Sequence, residues 1–370
     1  MNPPPLLLHV FPSFAVGGAQ VRLAAIANRF PGRWRHVVVA LDGRTECLAR
    51  LQTDVALRCI PPPFRAGAGM VPRLLGMMRL LREMRPSLLI TSNWGSMEWA
   101  LANRLQPPCP HLHLEDGFGP EERETQLPRR MRARRLILRR SMVVLPSETL
   151  LRLATGPWRL APARCRLIPN GVDLRRLHPG RGLTAPGVVI GTAAALRPEK
   201  NLGRLLRAFA LAQRDVPQAR LEILGDGPQR AALEDMAAEL GIAEHTRFLG
   251  HVADPAALLR GMDVFALSSD TEQMPFAILE AMACGLPVAS TDVGDVRMML
   301  SAPNQGFVTP LTDHGLARAL RGLLRDASLR AALGHANRAR AAALYDEEAM
   351  FQAHAALIEE VAQIEKAAWR

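Results

Sequence analysis

Glu272 and Glu280 stand eight residues apart in Glu272-Gln273-Met274-Pro275-Phe276-Ala277-Ile278-Leu279-Glu280. Pro275 suits a first helical turn, so one carboxylate falls before a helix start and the other about one turn inside it. Carboxylates accept hydrogen bonds from sugar hydroxyls, often in pairs. The free amides of a helix start meet phosphate or sugar oxygens. Leu279, Met282 and Ala283 form the expected buried side, which leaves Glu280 for a ligand. A second group, Leu196-Arg197-Pro198-Glu199-Lys200-Asn201, sets two cations at the mouth of another helix. Cations there oppose the helix dipole, and a bound anion such as a diphosphate relieves the conflict. Lysine recurs only at Lys366 in a chain that otherwise writes arginine, so Lys200 is informative. A compact ammonium on a phosphate explains it; a solvated loop is the plainer reading.

Two glycine turns complete the set. Gly17-Gly18-Ala19-Gln20 lies between a strand and a helix, where glycine admits close approach of a ligand and the helix start favours an anion. A tight turn alone also needs glycine, and the spacing is not the dinucleotide fingerprint. Gly225-Asp226-Gly227-Pro228 again follows a strand. There Asp226 is read as the cap of a helix beginning near Pro228.

Alternating elements must position these residues. Buried-strand patterns occur at 6–10, 36–41, 88–92 and 142–146, with helical periodicity around Val21–Arg29 and Leu74–Met84. A segment dense in Pro and Gly, 164–187, marks an interdomain connection. Strand patterns resume at 188–192, 221–224, 247–249, 264–267 and 287–290, and helices are expected over 202–209, 316–333 and 347–369. Strands alternating with helices mean βαβ units and parallel sheets. Ligands then sit at the carboxyl ends of the strands and between the domains. Length and composition agree: 370 residues, 48% apolar and 22% charged, make two soluble globular domains. No internal repeat, low-complexity tract or run of 18 apolar residues occurs, which excludes a transmembrane helix. The first basic residue is Arg22, and Leu6–Leu8 is cut by His9 and Pro12, so no secretory signal is expected. Five scattered cysteines without C-x-x-C exclude a zinc site or disulfide framework and fit a reducing, cytoplasmic setting.

The ordered motifs Gly17-Gly18, Asn170-Gly171-Val172-Asp173, Arg197–Asn201, Gly225–Pro228, Phe248-Leu249-Gly250-His251 and Glu272…Glu280-Ala281-Met282-Ala283-Cys284-Gly285-Leu286-Pro287-Val288 resemble the retaining nucleotide-sugar glycosyltransferases of family 4. The likeness runs over about residues 10–345 and is densest from 165 to 295. It implies the α/β GT-B fold, two doubly wound Rossmann-like domains facing across a cleft. Residues 1–175 would be the acceptor domain, 176–345 the donor domain, and 346–370 a helix packing back on the first. By the same resemblance Arg197 and Lys200 neutralise the donor diphosphate, Glu272 holds sugar hydroxyls and Glu280 the ribose. The backbone of Met274, Pro275 and Phe276 meets sugar and phosphates. Gly225, Asp226, Gly227, His251 and Val252 line the nucleotide, and Gly17 and Gly18 approach the diphosphate from the other domain. Fixed cations stabilise the charge that builds on the leaving diphosphate. The sequence lacks the Asp-x-Asp of metal-bound transferases, so neither metal nor cofactor is expected.

Two departures stand out. The family's common Glu-Gly-Phe-Gly is Glu272-Gln273-Met274-Pro275 here, which reshapes the sugar pocket. In the acceptor region, His111-Leu112-His113-Leu114-Glu115-Asp116-Gly117-Phe118-Gly119-Pro120, Asp116 takes the place of a common histidine. Three readings of this stretch stay open: Asp116 or Glu115 orients the acceptor hydroxyl, one of them acts as a base, or Asp116 starts a turn at Gly117.

Charge divides the chain. Residues 1–180 carry 27 arginines against 12 acids, net +15, and residues 181–370 net −4. Arg129, Arg130, Arg132, Arg134, Arg135, Arg139 and Arg140 scatter around a helix at 100° per residue. They read as a solvated helix balanced by Glu121, Glu122 and Glu124, or as a polybasic patch for the anionic inner face of the plasma membrane. Aromatic residues are 5% of the chain, too few for nucleic-acid stacking. The expected partners are a nucleotide-sugar donor and a glycan or lipid-linked acceptor, with UDP-sugars the default donor. A nucleotide-sugar epimerase and a catalytically silent sugar-nucleotide binder are the competing readings.

Overall fold

The computed structural model describes residues 3–106, 109–118, 120–122, 125–180, 187–252 and 254–368. Gly119 and Glu124, named above, and Gly182, Pro186 and Trp369, within the ranges 164–187 and 347–369, lie outside the described residues. The chain divides into two compact units, Met1–Pro169 with Phe351–Arg370, and Asn170–Met350.

The first unit is built on seven strands: β1 (Leu6–Phe11), β2 (Arg35–Ala40), β3 (Leu57–Ile60), β4 (Leu88–Ser92), β5 (His111–Leu114), β6 (Met142–Leu145) and β7 (Cys165–Leu167). They form one sheet in the order β3-β2-β1-β4-β5-β6-β7, with every pair parallel. β1, β2, β4 and β6 are apolar and buried along almost their whole length, the pattern of strands covered on both faces. The second unit holds β8 (Val189–Ala193), β9 (Arg220–Leu224), β10 (Thr246–Gly250), β11 (Val264–Leu267), β12 (Val288–Thr291) and β13 (Val308–Thr309). Their order is β10-β9-β8-β11-β12-β13, again all parallel. The winding direction reverses between β1 and β4 in one sheet and between β8 and β11 in the other. A crevice outside the carboxyl ends of two such strands is where ligands bind in open α/β sheets.

Several strands differ from the sequence reading. His111–Leu114, quoted above only within the acceptor region, is an interior strand between β4 and β6, and β3, β7 and β13 are short segments that periodicity does not single out. The helix expected over 316–333 is two helices, Asp313–Arg325 and Ala327–Leu344. Asp326 parts them, its carboxylate accepting from the Leu329 amide at 2.8 Å as an N-cap. Two apolar clusters cover the faces of the second sheet. One is centred on Phe265, Leu279 and Met282, the other on Phe209, Leu221 and Leu320.

Candidate donor site and the acceptor-side edge

In the second unit, the loop after β8 carries Lys200 and the loop after β11 carries Glu272. Both leave the sheet at its switch point, and they meet: Lys200 Nζ donates to Glu272 Oε1 at 2.6 Å. Ser269 Oγ donates to the same oxygen at 2.7 Å, and the Ser269 carbonyl accepts from Thr291 Oγ1 at 2.7 Å. The lysine loop is tied down too. Asn201, in the left-handed region at φ 42°, caps the helix Leu202–Gln213 by accepting from the Arg204 amide at 3.2 Å. Its amide nitrogen donates to Asp270 at 3.0 Å, and Arg204 reaches Asp270 at 2.7 Å. Two loops thus hold a cation and a carboxylate 72 residues apart in sequence in contact, both partly open to solvent, with side-chain exposures of 26% and 12%. Arg204 and Asp270 were not singled out from sequence, and Asn201 entered only as the end of the motif Arg197–Asn201. An Asn before an apolar helix is a legible cap signal, whereas its bond to Asp270 is not.

The glycine turns close in on the same edge. Gly225 sits at φ +134°, and a Cβ there would meet the Ala194 carbonyl oxygen at 1.9 Å. Its amide donates to the Gly250 carbonyl at 2.8 Å, so the loops after β9 and β10 are joined. Asp226 is exposed and accepts from the neighbouring Gly227 amide at 2.7 Å. The expected cap is therefore corrected: the helix starts at Arg230, after Gln229, and Asp226 closes a tight turn instead. His251 is exposed and Val252 half-buried at the end of the β10 loop. Arg197 is exposed and precedes a single helical turn, Pro198–Lys200. The structure therefore sets Lys200, and not Arg197, against Glu272.

Met274 is buried, and its carbonyl accepts from Asn170 Nδ2 at 3.1 Å. Pro275 precedes the helix Phe276–Ala283, whose Leu279, Met282 and Ala283 are fully buried as their spacing predicts. Glu280 is half-buried, and burial raises its carboxyl to about 7, with Arg176 pulling it down and Asp254 pushing it up.

In the first unit, Gly17, extended at φ −163°, begins the helix Gly18–Arg29 after β1, and this helix start carries no acidic residue. Gln20 Nε2 donates to the Ser13 carbonyl at 2.8 Å and steadies the loop. Asp116, just past β5, is held by both guanidinium nitrogens of Arg22 at 2.6 and 2.9 Å. Its amide donates to Asn93 Oδ1 at 2.7 Å. Arg22 lies 94 residues away in sequence, and no local signal marks it as the partner. His113 and Glu115, candidates for acceptor contact, are fully buried. His113 bonds Thr91 Oγ1 at 2.8 Å, and Glu115 accepts from Arg134 Nε at 3.1 Å.

The arginine helix, Pro128–Ile137, is not a wholly solvated one. Arg134 is fully buried, paired with Glu115 and Glu122 and ringed by Trp94, Phe118 and Trp158 at 4.8–5.2 Å. Burial alone would push the Glu122 carboxyl up, yet Arg134 and Arg130 hold it below its ordinary value. With Arg130 and Arg134 turned inward, the other five arginines and Leu136 are exposed. At 100° per residue those six lie within one face of the helix and the turn that follows it. The scatter is resolved into an inner pair and an outer stripe.

Among the described residues no cluster of three or more His, Cys, Asp or Glu is arranged to hold a metal ion, and no helix is long and apolar enough to cross a membrane. Two parallel α/β sheets, each with polar loops at its switch point, define the two-Rossmann-domain GT-B class. The model for group 1 glycosyl transferases matches residues 179–340, and that for glycosyltransferase family 4 matches residues 16–176. The chain belongs to this family. It is 35% identical over 203 residues to a D-inositol 3-phosphate glycosyltransferase of Saccharomonospora viridis, covering 48% of this chain and 47% of that one. Over 144 residues it is 32% identical to the lipopolysaccharide core biosynthesis glycosyltransferase LpsE of Rhizobium meliloti, covering 39% and 42%. The chain spans about half the length of these curated relatives or less. The crystal structure of Anabaena HepE in complex with UDP-glucose superposes with a TM-score of 0.79 at 21% identity, covering 96% of this chain and 99% of that one. At that identity the likeness is one of fold.

Proposed function

We propose that this chain is a retaining glycosyltransferase that moves a sugar from a nucleoside diphosphate donor, UDP-sugar foremost, to a hydroxyl of a glycan or lipid-linked glycan. The observation that carries this reading is the meeting of Lys200 and Glu272 at the switch point of the second sheet. There a fixed cation stands ready for phosphate oxygens and a carboxylate for sugar hydroxyls. The bond from the sugar C1 to the diphosphate breaks with its electron pair passing to the diphosphate. The acceptor oxygen takes that place on the same face of C1 and passes its proton to the departing diphosphate. Lys200, with Arg197 at the edge, offsets the charge arriving on the leaving group, the term that most lowers such barriers. Side-chain cations then do what a divalent metal does in Asp-x-Asp transferases. Glu280 serves the ribose, and the turns at Gly225–Gly227 and His251–Val252 the base. Gly17 and Gly18 offer an open helix start to an anion. Asp116 acts on the acceptor as a carboxylate already oriented by Arg22. HepE binds UDP-glucose and LpsE works in lipopolysaccharide core synthesis, which favours UDP and a lipid-linked glycan. The exposed arginine stripe favours an anionic membrane surface beside the acceptor.

The test is calorimetry and thermal shift with UDP, GDP, ADP and their sugars, with EDTA present. One nucleotide is expected to stabilise the wild type, and Lys200→Ala to abolish the effect. Binding unchanged in Lys200→Ala would sink the donor-site assignment, and binding without product across an acceptor panel would favour a silent binder.

A further inference from the structure

The loop after β4 begins with a residue in a backbone region that is almost reserved for glycine. Asn93 stands at φ 58° and ψ 178°. A Cβ is strained there, and such residues persist only where their surroundings hold them. Both polar atoms of the Asn93 main chain are held. Its amide donates to the Leu114 carbonyl at 2.8 Å, and its carbonyl accepts from the Ser96 hydroxyl at 2.9 Å and the Ser96 amide at 3.2 Å. Gly95 lets the same loop press on the loop after β1, since a Cβ there would meet Pro12 Cγ at 2.7 Å.

The strained turn re-routes one rung of the sheet. β4 and β5 pair in parallel, with Ser92 opposite Leu114. In a parallel ladder a residue donates to the neighbour behind its partner and accepts from the neighbour ahead of it. Asn93 makes the first of these bonds in the ordinary way, to Leu114. The second would bring the Asp116 amide to the Asn93 carbonyl, but that carbonyl is turned to Ser96. The side chain takes its place, Asn93 Oδ1 accepting from the Asp116 amide at 2.7 Å. Asparagine tolerates positive φ better than most residues and carries an acceptor oxygen at the required reach. Asp116 is therefore fixed twice, its main chain by Asn93 and its carboxylate by both guanidinium nitrogens of Arg22 at 2.6 and 2.9 Å.

We propose that Asn93 is a positioning residue for the transfer, which sets the Asp116 carboxylate toward the acceptor hydroxyl by holding the Asp116 main chain. The inference rests on the reading of Asp116 as the carboxylate that meets the acceptor. Both Asp116 oxygens are bonded to Arg22, and taking up a proton would weaken that pair. Asp116 then orients a hydroxyl by accepting its hydrogen bond, and such orientation depends on where its main chain is held. Lys200 and Glu272 belong to the other unit, so sugar-nucleotide binding is expected to be independent of Asn93.

Release of UDP from UDP-glucose and of GDP from GDP-mannose, with water and with dodecyl maltoside as acceptors, tests this. The proteins are the wild type, Asn93→Gly, Asn93→Ala and Asp116→Asn, each with a melting curve. Asn93→Gly adopts the torsion without strain and lacks only the side-chain oxygen. Its kcat should fall about tenfold or more, while its KM for the sugar nucleotide stays within about twofold of the wild type. It should melt within about 3 °C of the wild type, because relief of strain offsets the lost bond. Asn93→Ala should lose the same kcat and melt lower, since it keeps a Cβ in the strained region. A wild-type kcat in Asn93→Gly, beside a fallen one in Asp116→Asn, would overturn the proposal and leave Asn93 a turn residue. A rise in sugar-nucleotide KM as large as the fall in kcat would also overturn it, as a general structural role does that. A wild-type kcat in Asp116→Asn would instead bring down the reading of Asp116, and a wild type that releases neither nucleotide would bring down the transferase reading. This proposal falls with either.

Discussion

The two units treat charge in opposite ways. The first, drawn from the basic part of the chain, folds much of its charge inward. Arg134 is fully buried between two glutamates and three aromatic rings, and Arg22 with Asp116 is almost enclosed. His9 and His36 bond at 3.1 Å, and His111, Thr91 and His113 form a buried chain. The second unit keeps its sheet faces apolar and sets Lys200 and Glu272 on loops at the sheet edge. Arg22, Arg130 and Arg134 are matched by Glu115, Asp116 and Glu122, so these inward pairs take nothing from the net +15 of residues 1–180. They are internal scaffolding for the acceptor-side edge, while the second unit, which encloses Arg204 with Asp270, leaves Lys200 and Glu272 partly open to solvent.

The sharpest way to break this contrast is Arg134→Leu. Removing one partner of a buried ionic cluster leaves Glu115 without its arginine and Glu122 with Arg130 alone, and costs about 3–5 kcal/mol. Hydrogen exchange should show that loss in residues 3–169, with nucleotide affinity at the second unit unchanged. Equal loss of protection in both units would mean that the burial of charge in the first is not what sets it apart.

Acid should separate the units next. Burial holds His36 at about 4 and His111 and His354 at about 3, with His113 and Arg22 respectively adding to the last two. Unfolded histidine titrates near 6.5. Their contribution is complete above pH 6.5 and is lost as pH falls toward 4 and then 3, because the unfolded chain takes up protons first. Glu280 and Glu347 in the second unit run the other way. Burial foremost raises both to about 7, against 4.5 when unfolded. Their stability contribution is fully present below pH 4.5 and is lost as pH rises through 7. Between pH 6.5 and 4.5 the first unit should lose exchange protection while the second keeps or gains it, and Glu280→Gln should reduce that gain. Parallel loss in both units would contradict the sign worked out here.

The smallest effect belongs to the outer arginine stripe. Exchanging Arg129, Arg132 and Arg135 for Gln should weaken binding to phosphatidylserine vesicles by about 1 kcal/mol per residue at low salt, fading as ionic strength rises. Stability should hardly move, since these side chains are exposed. Vesicle binding that survives the triple exchange would reduce the stripe to solvation.

How much of this was legible follows from the range of the interactions. The apolar runs of β1, β4 and β11, the breakers around 164–187 and the alternation of elements are local, and they suffice for two parallel α/β sheets. Lys200 was legible through an oddity of composition, and the helix after Pro275 through its spacing. Local reading failed where a long-range partner decides. Alternating histidines hide His111–Leu114 from an apolar strand pattern, yet it pairs with β4 and β6 while Thr91 and Ser141 bond its histidines. Seven arginines in a row of twelve residues look alike, and only Glu115, Glu122 and the aromatic ring around Arg134 select which ones turn inward. Asp116, in the loop after β5, likewise has no partner in sight until Arg22 arrives from the helix Gly18–Arg29.

The sequence by itself determined the fold class, the order of the glycine turns and the residue types that meet phosphate and sugar, because periodicity and turn chemistry act over a few residues. The tertiary structure alone decided that Lys200 rather than Arg197 faces Glu272, and that Glu115 and His113 are interior. Those are questions of which side chains share a space. A parallel sheet settles them by bringing the ends of strands distant in sequence to one edge.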